Sequence, residues 1–493
     1  MTLPDAYPAR RGSSPVETDP ETLVVVANRL PVEYHTEDGW RRSPGGLVSA
    51  MEAVLRGRDT LWIGWSGRYS DDDHQDTPPT PDATGSIRLA DVELTRADVA
   101  GHYEGFSNSA LWPLYHGGIV PPVYHRSEFE AFRSVNARFA REVAERAPKG
   151  ATVWVHDYQL QLVPAMVRHH RPDLRIGFFL HIPFPPVELF LQLPWRKQVV
   201  EGLLGADVIG FQTADGAHNF ARLARRLLGV GDSGDGHLLV HEQRGSRTVL
   251  VDAFPIGIRA EDFATMAAAP ETVARAAELR ASLGDPELLL LGVDRLDYTK
   301  GIDVRIRAVT ELFLDGFLDA DRTVFVQVAT PSRENVEEYR RIRNDVELLV
   351  SRANGDIGKI GITPIHYLHQ PMQPDELTAA YAAADVMLVT PLCDGMNLVA
   401  KEYVACRTQG DGALVLSEFT GAADQMHEAW LVNPYDIEGT KAAIMGAIEA
   451  SKTETHTRMD ALRHGVFTDD VATWADDFLS ALRQRSPIDE SGL

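Results

Sequence analysis

Cysteine and long apolar runs are what this sequence has least of. Only Cys393 and Cys406 occur among its 493 residues, which excludes a disulfide-rich scaffold and a cysteine-rich zinc site and favours a reducing cytoplasm as the location. No run of about 18 apolar residues is present, so no membrane-spanning helix is expected. Residues 1–20 also lack the apolar core of a secretory signal, and we interpret them as a disordered tail.

Positive charge is scarce as well. The 48 Lys and Arg residues against 71 Asp and Glu give a formal net charge of −23, which argues against nucleic acids and anionic membranes as partners. A few local cations are still enough to bind a small anion. Neither the G-x-x-x-x-G-K-[ST] pattern of a P-loop nor a G-x-G-x-x-G after the first strand is found, so the common nucleoside-triphosphate and dinucleotide sites have no support.

The apolar residues, 44% of the chain, recur in short runs, each bounded by polar or turn residues and followed by a helical pattern. This alternation is typical of parallel β-α-β units and predicts an α/β fold. The clearest runs lie at residues 23–27, 153–155, 176–180, 288–293, 324–328, 386–389 and 414–416.

The length of the chain fits two large α/β domains. A segment with Pro and Gly, residues 254–258, follows a strand-like run and suits a hinge. After the tail 1–20 we therefore expect one domain over residues 21–258 and a second over 259–470. Residues 471–493 are expected to form a C-terminal helix and tail that could pack back on the first domain.

Six of the apolar runs end in polar or charged residues. Ligands of open α/β sheets bind beyond the carboxyl ends of the strands, so these side chains are predicted to share one edge and one site. They are Asn28, Arg29, His156, Asp157, His181, Asp294, Arg295, Arg333 and Asp394.

Residues 294–301, DRLDYTKG, place two cations five residues apart in a loop between a strand and a helix. Arg295 provides a rigid fork and Lys300 a mobile point charge, so together they could neutralise the charge that develops on a departing diphosphate. The alternative is a solvated loop in which Arg295 pairs with Asp297.

Residues 391–402, PLCDGMNLVAKE, turn from a strand into a helix and carry two acidic residues. If the segment were largely helical, Asp394 and Glu402 would lie about 12 Å apart. That span suits a nucleotide sugar, with free backbone N–H groups facing its diphosphate. In the alternative, Glu402 pairs with a basic neighbour and Asp394 caps the helix.

A two-glycine turn precedes the helical pattern of residues 47–55. Its second glycine, Gly46, could let a phosphate approach the backbone closely at a helix N-terminus. Such a turn is a weak signal, and most often it is only a turn.

Two arginines and two histidines complete the candidate set. Arg29 and Arg333 follow strands in different halves of the chain and could converge on one phosphate, although each alone fits a surface ion pair. His156 and His181 lack the H-E-x-x-H spacing of a zinc site. We expect hydrogen bonds to sugar hydroxyls from them, with a structural histidine as the alternative for either position.

Together these motifs resemble the trehalose-6-phosphate synthases, retaining glycosyltransferases with two Rossmann-like domains that face each other across a cleft, the glycosyltransferase-B fold. The similarity runs from about residue 23 to about residue 482. Its markers in this chain are ANRLP at 27–31, LWIGWSG at 61–67, FSN at 106–108, LWP at 111–113, HDY at 156–158, HIPFP at 181–185, DRLDYTKG at 294–301, TPSR at 330–333 and DGMNLVAKE at 394–402.

The resemblance implies roles for individual residues, with the acceptor on the first domain and the nucleotide-sugar donor on the second. The phosphate of glucose 6-phosphate would contact Arg29, Trp65, Tyr103 and Arg333, and its sugar Trp112, Asp157 and Tyr158. The donor diphosphate would contact Gly46, Arg295 and Lys300, and the transferred glucose His181, Asp394, Met396 and Asn397, with Glu402 at the ribose and Leu398 as a further donor-binding residue. The catalytic set would be Arg295, Lys300, Asp157 and His181.

The activity that the resemblance implies is transfer of glucose from UDP-glucose or GDP-glucose to glucose 6-phosphate, which yields α,α-trehalose 6-phosphate. It implies front-face attack, in which the acceptor hydroxyl approaches from the side that the diphosphate leaves, without a metal or another cofactor. The partners are then two small molecules rather than nucleic acid or membrane. Any homo-oligomer is expected to be a dimer or a tetramer.

Three other activities would fit a chain of this kind. A pseudo-glycosyltransferase of the same fold would couple a cyclitol phosphate, a sensor domain would bind a sugar phosphate without turnover, and a phosphorylase would need a lysine that binds pyridoxal phosphate. The complete acceptor set argues against the first. The presence of Arg295, Lys300 and Asp394 argues against the second.

Overall fold

The computed structural model describes residues 22–35, 39–43, 48, 51, 54–55, 58–72, 80–242, 245–333 and 336–484. The predicted tail, residues 1–20, and Gly46 lie outside this part of the chain. Within it, strands and helices alternate, which confirms the predicted α/β class. Each of the seven apolar runs forms a strand, and Arg29 and Arg295 are the last residues of their strands.

The strands form two large sheets, one from each half of the chain, and one small hairpin, β2–β3. In the first half they are β1 (Leu23–Arg29), β2 (Val32–His35), β3 (Gly39–Arg42), β4 (Thr60–Trp65), β5 (Ala83–Thr84), β6 (Ile87–Asp91), β7 (Thr152–His156), β8 (Arg175–Phe179), β9 (Val208–Phe211), β10 (Gly231–Gly234), β11 (His237–Glu242) and β12 (Gly245–Ala253). In the second half they are β13 (Leu288–Arg295), β14 (Thr323–Thr330), β15 (Ile365–Leu368), β16 (Val386–Val389), β17 (Ala413–Ser417) and β18 (Trp430–Val432).

Helices connect the strands. The α-helices with defined bounds are Arg96–Val99, Trp112–Tyr115, Arg126–Arg146, Val163–His170, Val187–Phe190, Arg196–Leu203, Ala214–Leu228, Ala260–Ala268, Pro270–Ser282, Ile302–Leu314, Glu337–Ile357, Pro374–Ala383, Leu398–Cys406, Ile437–Glu449, Lys452–Thr468 and Val471–Arg483. A π-helix spans Ala100–Leu111, and 3-10 turns span Tyr158–Leu160, Tyr298–Lys300 and Gly421–Asp424. None of the helices in the described residues is both long and apolar enough to cross a membrane.

Both large sheets have the same strand order around their centres. The second sheet is parallel and runs β15-β14-β13-β16-β17-β18, and the parallel part of the first runs β6-β4-β1-β7-β8-β9-β12. In each sheet the chain order reverses between two central strands, β1 and β7 or β13 and β16. Open sheets of this order bind their ligands beyond the strand ends at that reversal. The topology therefore predicts a ligand site at the carboxyl ends of these four strands.

Burial explains why the central strands are almost wholly apolar. Strand β1, LVVVANR, is buried from Leu23 through Asn28, and only Arg29 is exposed. Strand β13, LLLLGVDR, is buried from Leu289 through Asp294 and ends in exposed Arg295. A strand covered by helices on both faces needs continuous apolar residues rather than alternating ones. The charge at each strand end consequently marks the edge of the core.

The C-terminal helix, Val471–Arg483, packs on the first sheet. The ring of Phe478 stacks on Trp154 of β7, with 4.7 Å between ring centroids. At its start, Val471 donates a backbone hydrogen bond to Ile258 at 3.2 Å, so the segments near residues 258 and 470 run side by side. The domain boundary near residue 258 stays a prediction, set in the connection between β12 and helix Ala260–Ala268.

The packing of this helix predicts a stability difference between two glycine substitutions. A Cβ at Gly177 of β8 would lie 2.6 Å from a ring carbon of Phe478, whereas a Cβ at Gly355 of helix Glu337–Ile357 meets no atom within 4 Å. We expect Gly177→Ala to destabilise the fold by about 1–3 kcal/mol through overpacking. Gly355→Ala is expected to be neutral or to stabilise by up to about 1 kcal/mol. Thermal unfolding measures both, and an unchanged midpoint for G177A would contradict this account of the packing.

Candidate active site

The acceptor side of the predicted site begins with a stacked arginine. Arg29 ends β1, and its guanidinium carbon lies 4.2 Å from the ring centre of Trp65, which ends β4. A Cβ at Gly67 would come within 2.7 Å of the Arg29 Nη1 atom, and one at Gly64 would overlap the Arg29 backbone. The two glycines therefore make room for Arg29, and the side chain stays exposed at the strand end.

An unexpected π-helix, Ala100–Leu111, supplies the next residues. π-Helical turns are rare and occur frequently at functional sites. Burial raises the pKa of Tyr103 in this helix, but Arg333, Arg29 and Arg295 lower it more, so that its pKa lies below the usual value. Three guanidinium groups therefore act electrostatically on one phenol. Such a concentration of positive charge suits a phosphate dianion.

Arg333 joins the two halves of the chain. Its backbone has a left-handed φ of 49°, and its guanidinium carbon lies 3.7 Å from the ring centre of Trp112. The group donates to the Tyr158 hydroxyl at 3.1 Å and also to the hydroxyl of Tyr339. Because Trp112 and Tyr158 belong to the first half, Arg333 of the second half closes the site against them.

Asp297 anchors that arginine, which corrects one alternative for the DRLDYTKG loop. Its carboxylate accepts hydrogen bonds from the Thr299 backbone at 3.0 Å and the Tyr339 hydroxyl at 2.8 Å, and it lies 3.5 Å from Arg333. Burial raises its pKa, yet the neighbouring Arg333 and Arg295 hold that pKa at about 2. The main partners of Asp297 are therefore Thr299, Tyr339 and Arg333. Arg295, the partner in the alternative, is exposed beside Trp112.

On the donor side, Lys300 and Asp394 form a buried ion pair. The Lys300 Nζ atom donates to Asp394 Oδ2 at 2.5 Å, and the amide of Asn397 donates to the same oxygen at 3.0 Å. Burial raises the pKa of Asp394, but Lys300 lowers it by more. The pKa therefore lies below the usual value, and the acid is ionised. The two segments, 294–301 and 391–402, therefore meet through opposite charges at the ends of β13 and β16.

The segment 391–402 differs from its predicted geometry. The helix begins only at Leu398, and Asn397 precedes it with a left-handed φ of 83°. The Asn397 side chain accepts a hydrogen bond from the Ala400 backbone at 3.1 Å, so Asn397 rather than Asp394 is the cap. The 12 Å span predicted for a continuous helix does not apply. Met396 is buried in this turn.

Glu402 has a different partner from the one proposed in the alternative. The Tyr381 hydroxyl donates to Glu402 Oε2 at 2.9 Å, whereas the alternative paired Glu402 with a basic neighbour. Burial raises the pKa of this acid. The second Glu402 oxygen thus remains to accept a further hydrogen bond.

A buried arginine that the sequence analysis missed supports the donor loop. Arg305 is fully buried, and its guanidinium donates to Asp294 at 2.5 Å, Gln327 at 2.9 Å and Thr390 at 3.0 Å. It also donates to the Lys300 backbone carbonyl at 3.3 Å. The signal was available, because Arg305 falls at helical spacing on the apolar face that begins at Ile302. This network holds the loop that carries Lys300.

Two histidines and Asp157 form the third part of the site. The His156 Nδ1 and His181 Nε2 atoms share a hydrogen bond of 3.1 Å. Burial lowers the pKa of both rings, that of His181 to about 3, so both are neutral. His156 is fully buried and holds His181, which favours the structural alternative for this residue, while its expected contact with sugar hydroxyls stays a prediction.

Asp157 has a strained backbone with a φ of 73°. Its carboxylate accepts a hydrogen bond from the His181 backbone at 3.2 Å, and burial raises its pKa to about 6. Among the described residues, no three His, Cys, Asp or Glu side chains group so as to hold a metal ion. Gly46 lies outside the described residues, and the ligand roles of all these side chains stay predictions.

Comparison with known proteins decides the family. Residues 21–484 match glycosyltransferase family 20. The chain belongs to this family. A trehalose-6-phosphate synthase of Mycolicibacterium gilvum (strain PYR-GCK) is 54% identical over 97% of this chain and 98% of the relative. One from Mycobacterium avium (strain 104) is 53% identical over 97% and 99%.

Solved structures of family 20 members agree in fold. An α,α-trehalose-phosphate synthase (UDP-forming) from Burkholderia xenovorans in complex with glucose-6-phosphate is 33% identical, with a TM-score of 0.85 over 94% of this chain and 99% of that one. A relative from E. coli bound with UDP-2-fluoro glucose is 33% identical, with a TM-score of 0.85 over 94% and 100%. The predicted resemblance, the glycosyltransferase-B fold and the glycosyltransferase class of enzyme are thereby confirmed.

The raised pKa of Asp157 predicts an acidic limb in glycosyl transfer. As the pH falls through about 6 the carboxylate takes up a proton and loses part of its capacity to accept hydrogen bonds. We expect kcat/KM to fall below that pH, by up to about tenfold per pH unit. A phosphorylated substrate also titrates near pH 6, so Asp157→Asn is the control. Profiles of the two proteins with the same acidic limb would contradict the assignment to Asp157.

Proposed function

We propose that this enzyme transfers glucose from UDP-glucose to the anomeric hydroxyl of glucose 6-phosphate and forms α,α-trehalose 6-phosphate and UDP. The observation that carries the proposal is the contact of Arg333 with Tyr158 and Trp112. This contact brings Arg29, at the edge of the first sheet, to the same site as Arg295, Arg333 and the Lys300–Asp394 pair of the second sheet. A site built this way suits two anionic substrates bound face to face.

The acceptor proposal rests on charge and on aromatic surface. The guanidinium groups of Arg29, Arg333 and Arg295 all lower the pKa of Tyr103, and guanidinium groups bind phosphate through paired hydrogen bonds. The rings of Trp112 and Tyr158 lie beside this cluster, with 5.6 Å between their centroids, and offer a wall for a sugar. The glucose-6-phosphate complex of the Burkholderia xenovorans relative supports the same ligand here.

The donor proposal rests on the loops that end β13 and β16. Arg295 is exposed at the mouth, and Lys300 is held by a carboxylate that a diphosphate can replace as its partner. Asp394, Asn397 and His181 are proposed to bind the transferred glucose, and Glu402 the ribose. Relatives described as UDP-forming favour UDP-glucose, with GDP-glucose as the alternative.

We propose a front-face mechanism with retention. The bond from glucose C1 to the diphosphate oxygen breaks as a bond from C1 to the acceptor oxygen forms on the same face. The proton of the acceptor hydroxyl passes to the departing phosphate oxygen. Arg295 and Lys300 stabilise the charge that develops on the diphosphate, while Asp157 and His181 orient sugar hydroxyls. Closure of the two halves would exclude water and protect the donor from hydrolysis.

The test is release of nucleoside diphosphate from UDP-, GDP- and ADP-glucose, each with and without glucose 6-phosphate. NMR of the product identifies the anomeric configuration. Release with UDP-glucose that requires the acceptor and yields the α,α-linked product is the expected result. Release only with a cyclitol phosphate would show that this compound, rather than glucose 6-phosphate, is the acceptor. No release with any donor would favour a sugar-phosphate sensor. A higher kcat/KM with GDP-glucose than with UDP-glucose would show that the donor base is guanine rather than uracil.

Two substitutions should separate the proposed acceptor and donor roles. Lys300→Met is expected to lower kcat by about 10²–10³-fold, as is typical when a donor to a developing anion is lost. Arg333→Met is expected to raise the KM for glucose 6-phosphate far more than that for UDP-glucose. The KM for unphosphorylated glucose, tested as a poor acceptor, should change little in the Arg333→Met enzyme. Arg352→Met, at an exposed arginine of helix Glu337–Ile357, is the matched control.

Equal effects of R333M on both acceptors would contradict the phosphate role. A K300M enzyme with unchanged kcat and a raised KM for the donor would place Lys300 in ground-state binding alone.

A further inference from the structure

A second cavity lies behind the Arg333–Tyr158 contact, and we propose that it binds an uncharged polyhydroxy compound that raises the affinity for the acceptor. We call it the rear cavity. It is lined on one side by residues between 108 and 128 and on the other by Tyr298, Val336, Glu338 and Tyr339, and its volume is about 140 Å³. The coupling part of the proposal rests on the proposed function.

Three polar atoms of the lining lack hydrogen-bond partners among the described residues. They are Asn108 Nδ2, Glu128 Oε2 and the Tyr298 hydroxyl. Asn108 is 3% exposed and Tyr298 is 8% exposed, so bulk water does not serve these groups. Buried polar groups are nearly always satisfied in folded proteins. The rear cavity therefore offers a guest one hydrogen-bond donor, one acceptor and one hydroxyl.

The lining selects the chemistry of that guest. Asn108 Nδ2 needs an acceptor and the Glu128 carboxylate needs a donor, and a hydroxyl group supplies both. Glu128 and Glu338 in the wall repel an anion. A cation offers no acceptor to Asn108. Pro113 and Val120 add apolar surface that suits the C–H faces of a polyol.

Both sides of the rear cavity are bonded to the acceptor site. Asn108 Oδ1 accepts a hydrogen bond from the Tyr158 hydroxyl at 2.7 Å. On the other side, the Tyr339 hydroxyl bonds Asp297 at 2.8 Å and contacts Arg333. A guest that fixes both walls stabilises the contact between Tyr158 and Arg333. It then favours the state that binds the acceptor, because a ligand shifts an equilibrium toward the state it binds better.

The test uses myo-inositol and sorbitol as probes, with malonate and ethanolamine as charged counter-probes. Saturation-transfer NMR is recorded with glucose 6-phosphate and UDP present at saturation, so that the proposed substrate site is filled. Val123 lines the rear cavity and is 42% exposed, and Val123→Trp fills its mouth. Val273→Trp, at a 56% exposed valine of helix Pro270–Ser282, is the matched control. Glu128→Leu is the second variant if V123W does not fold.

We expect one of the polyols to bind wild type and V273W but not V123W or E128L. With that polyol present, the KM for glucose 6-phosphate should fall by about fivefold or more in wild type and V273W only. No polyol binding, binding lost on addition of glucose 6-phosphate, binding of a charged probe alone, or binding unchanged in V123W and E128L would each overturn the proposal. An unchanged KM would overturn the coupling. Because NMR binding needs no turnover, failure of the proposed function would be recognised separately.

Discussion

One buried guanidinium group, that of Arg333, links the two halves of the site. The Arg333 side chain is 7% exposed, so its charge has to be compensated inside the protein. Asp297 and the hydroxyls of Tyr339 and Tyr158 supply that compensation. Since Asp297 is committed to this task, Arg295 can stay exposed beside Trp112 rather than fold back on its own loop.

The two sheets explain why these groups meet at all. Each sheet reverses its chain order between two central strands, and the polar residues that follow those strands lie at the reversal. Continuous apolar runs fully buried between helices are easy to recognise in a sequence, and so are the charges that end them. For that reason the fold class, the strand positions and residues such as Arg29 and Asp394 could be predicted without coordinates.

Features that depend on distant contacts could not be predicted. Helical spacing places Arg305 on the apolar face of its helix, but it does not show which groups compensate the charge, because these lie in β13, in β14 and just after β16. Asp394 is a good helix cap by type, yet it pairs with Lys300, 94 positions earlier. Asn397, which tolerates a left-handed backbone, then takes the cap. The π-helix Ala100–Leu111 carries no sequence pattern that distinguishes it from an α-helix.

The pairing of cations with weak or replaceable partners connects this architecture to its chemistry. Without an anion, Arg29, Arg295, Arg333 and Lys300 would repel one another in a confined space. Arg29 instead stacks on Trp65 and Arg333 on Trp112, and Lys300 shares Asp394. A stacked guanidinium keeps its in-plane N–H groups available for hydrogen bonds. Those of Arg29 lie at an exposed strand end, whereas those of Arg333 donate to Tyr158 and Tyr339. The cations are therefore preorganised for phosphate, and little reorganisation is required when charge moves onto a leaving group.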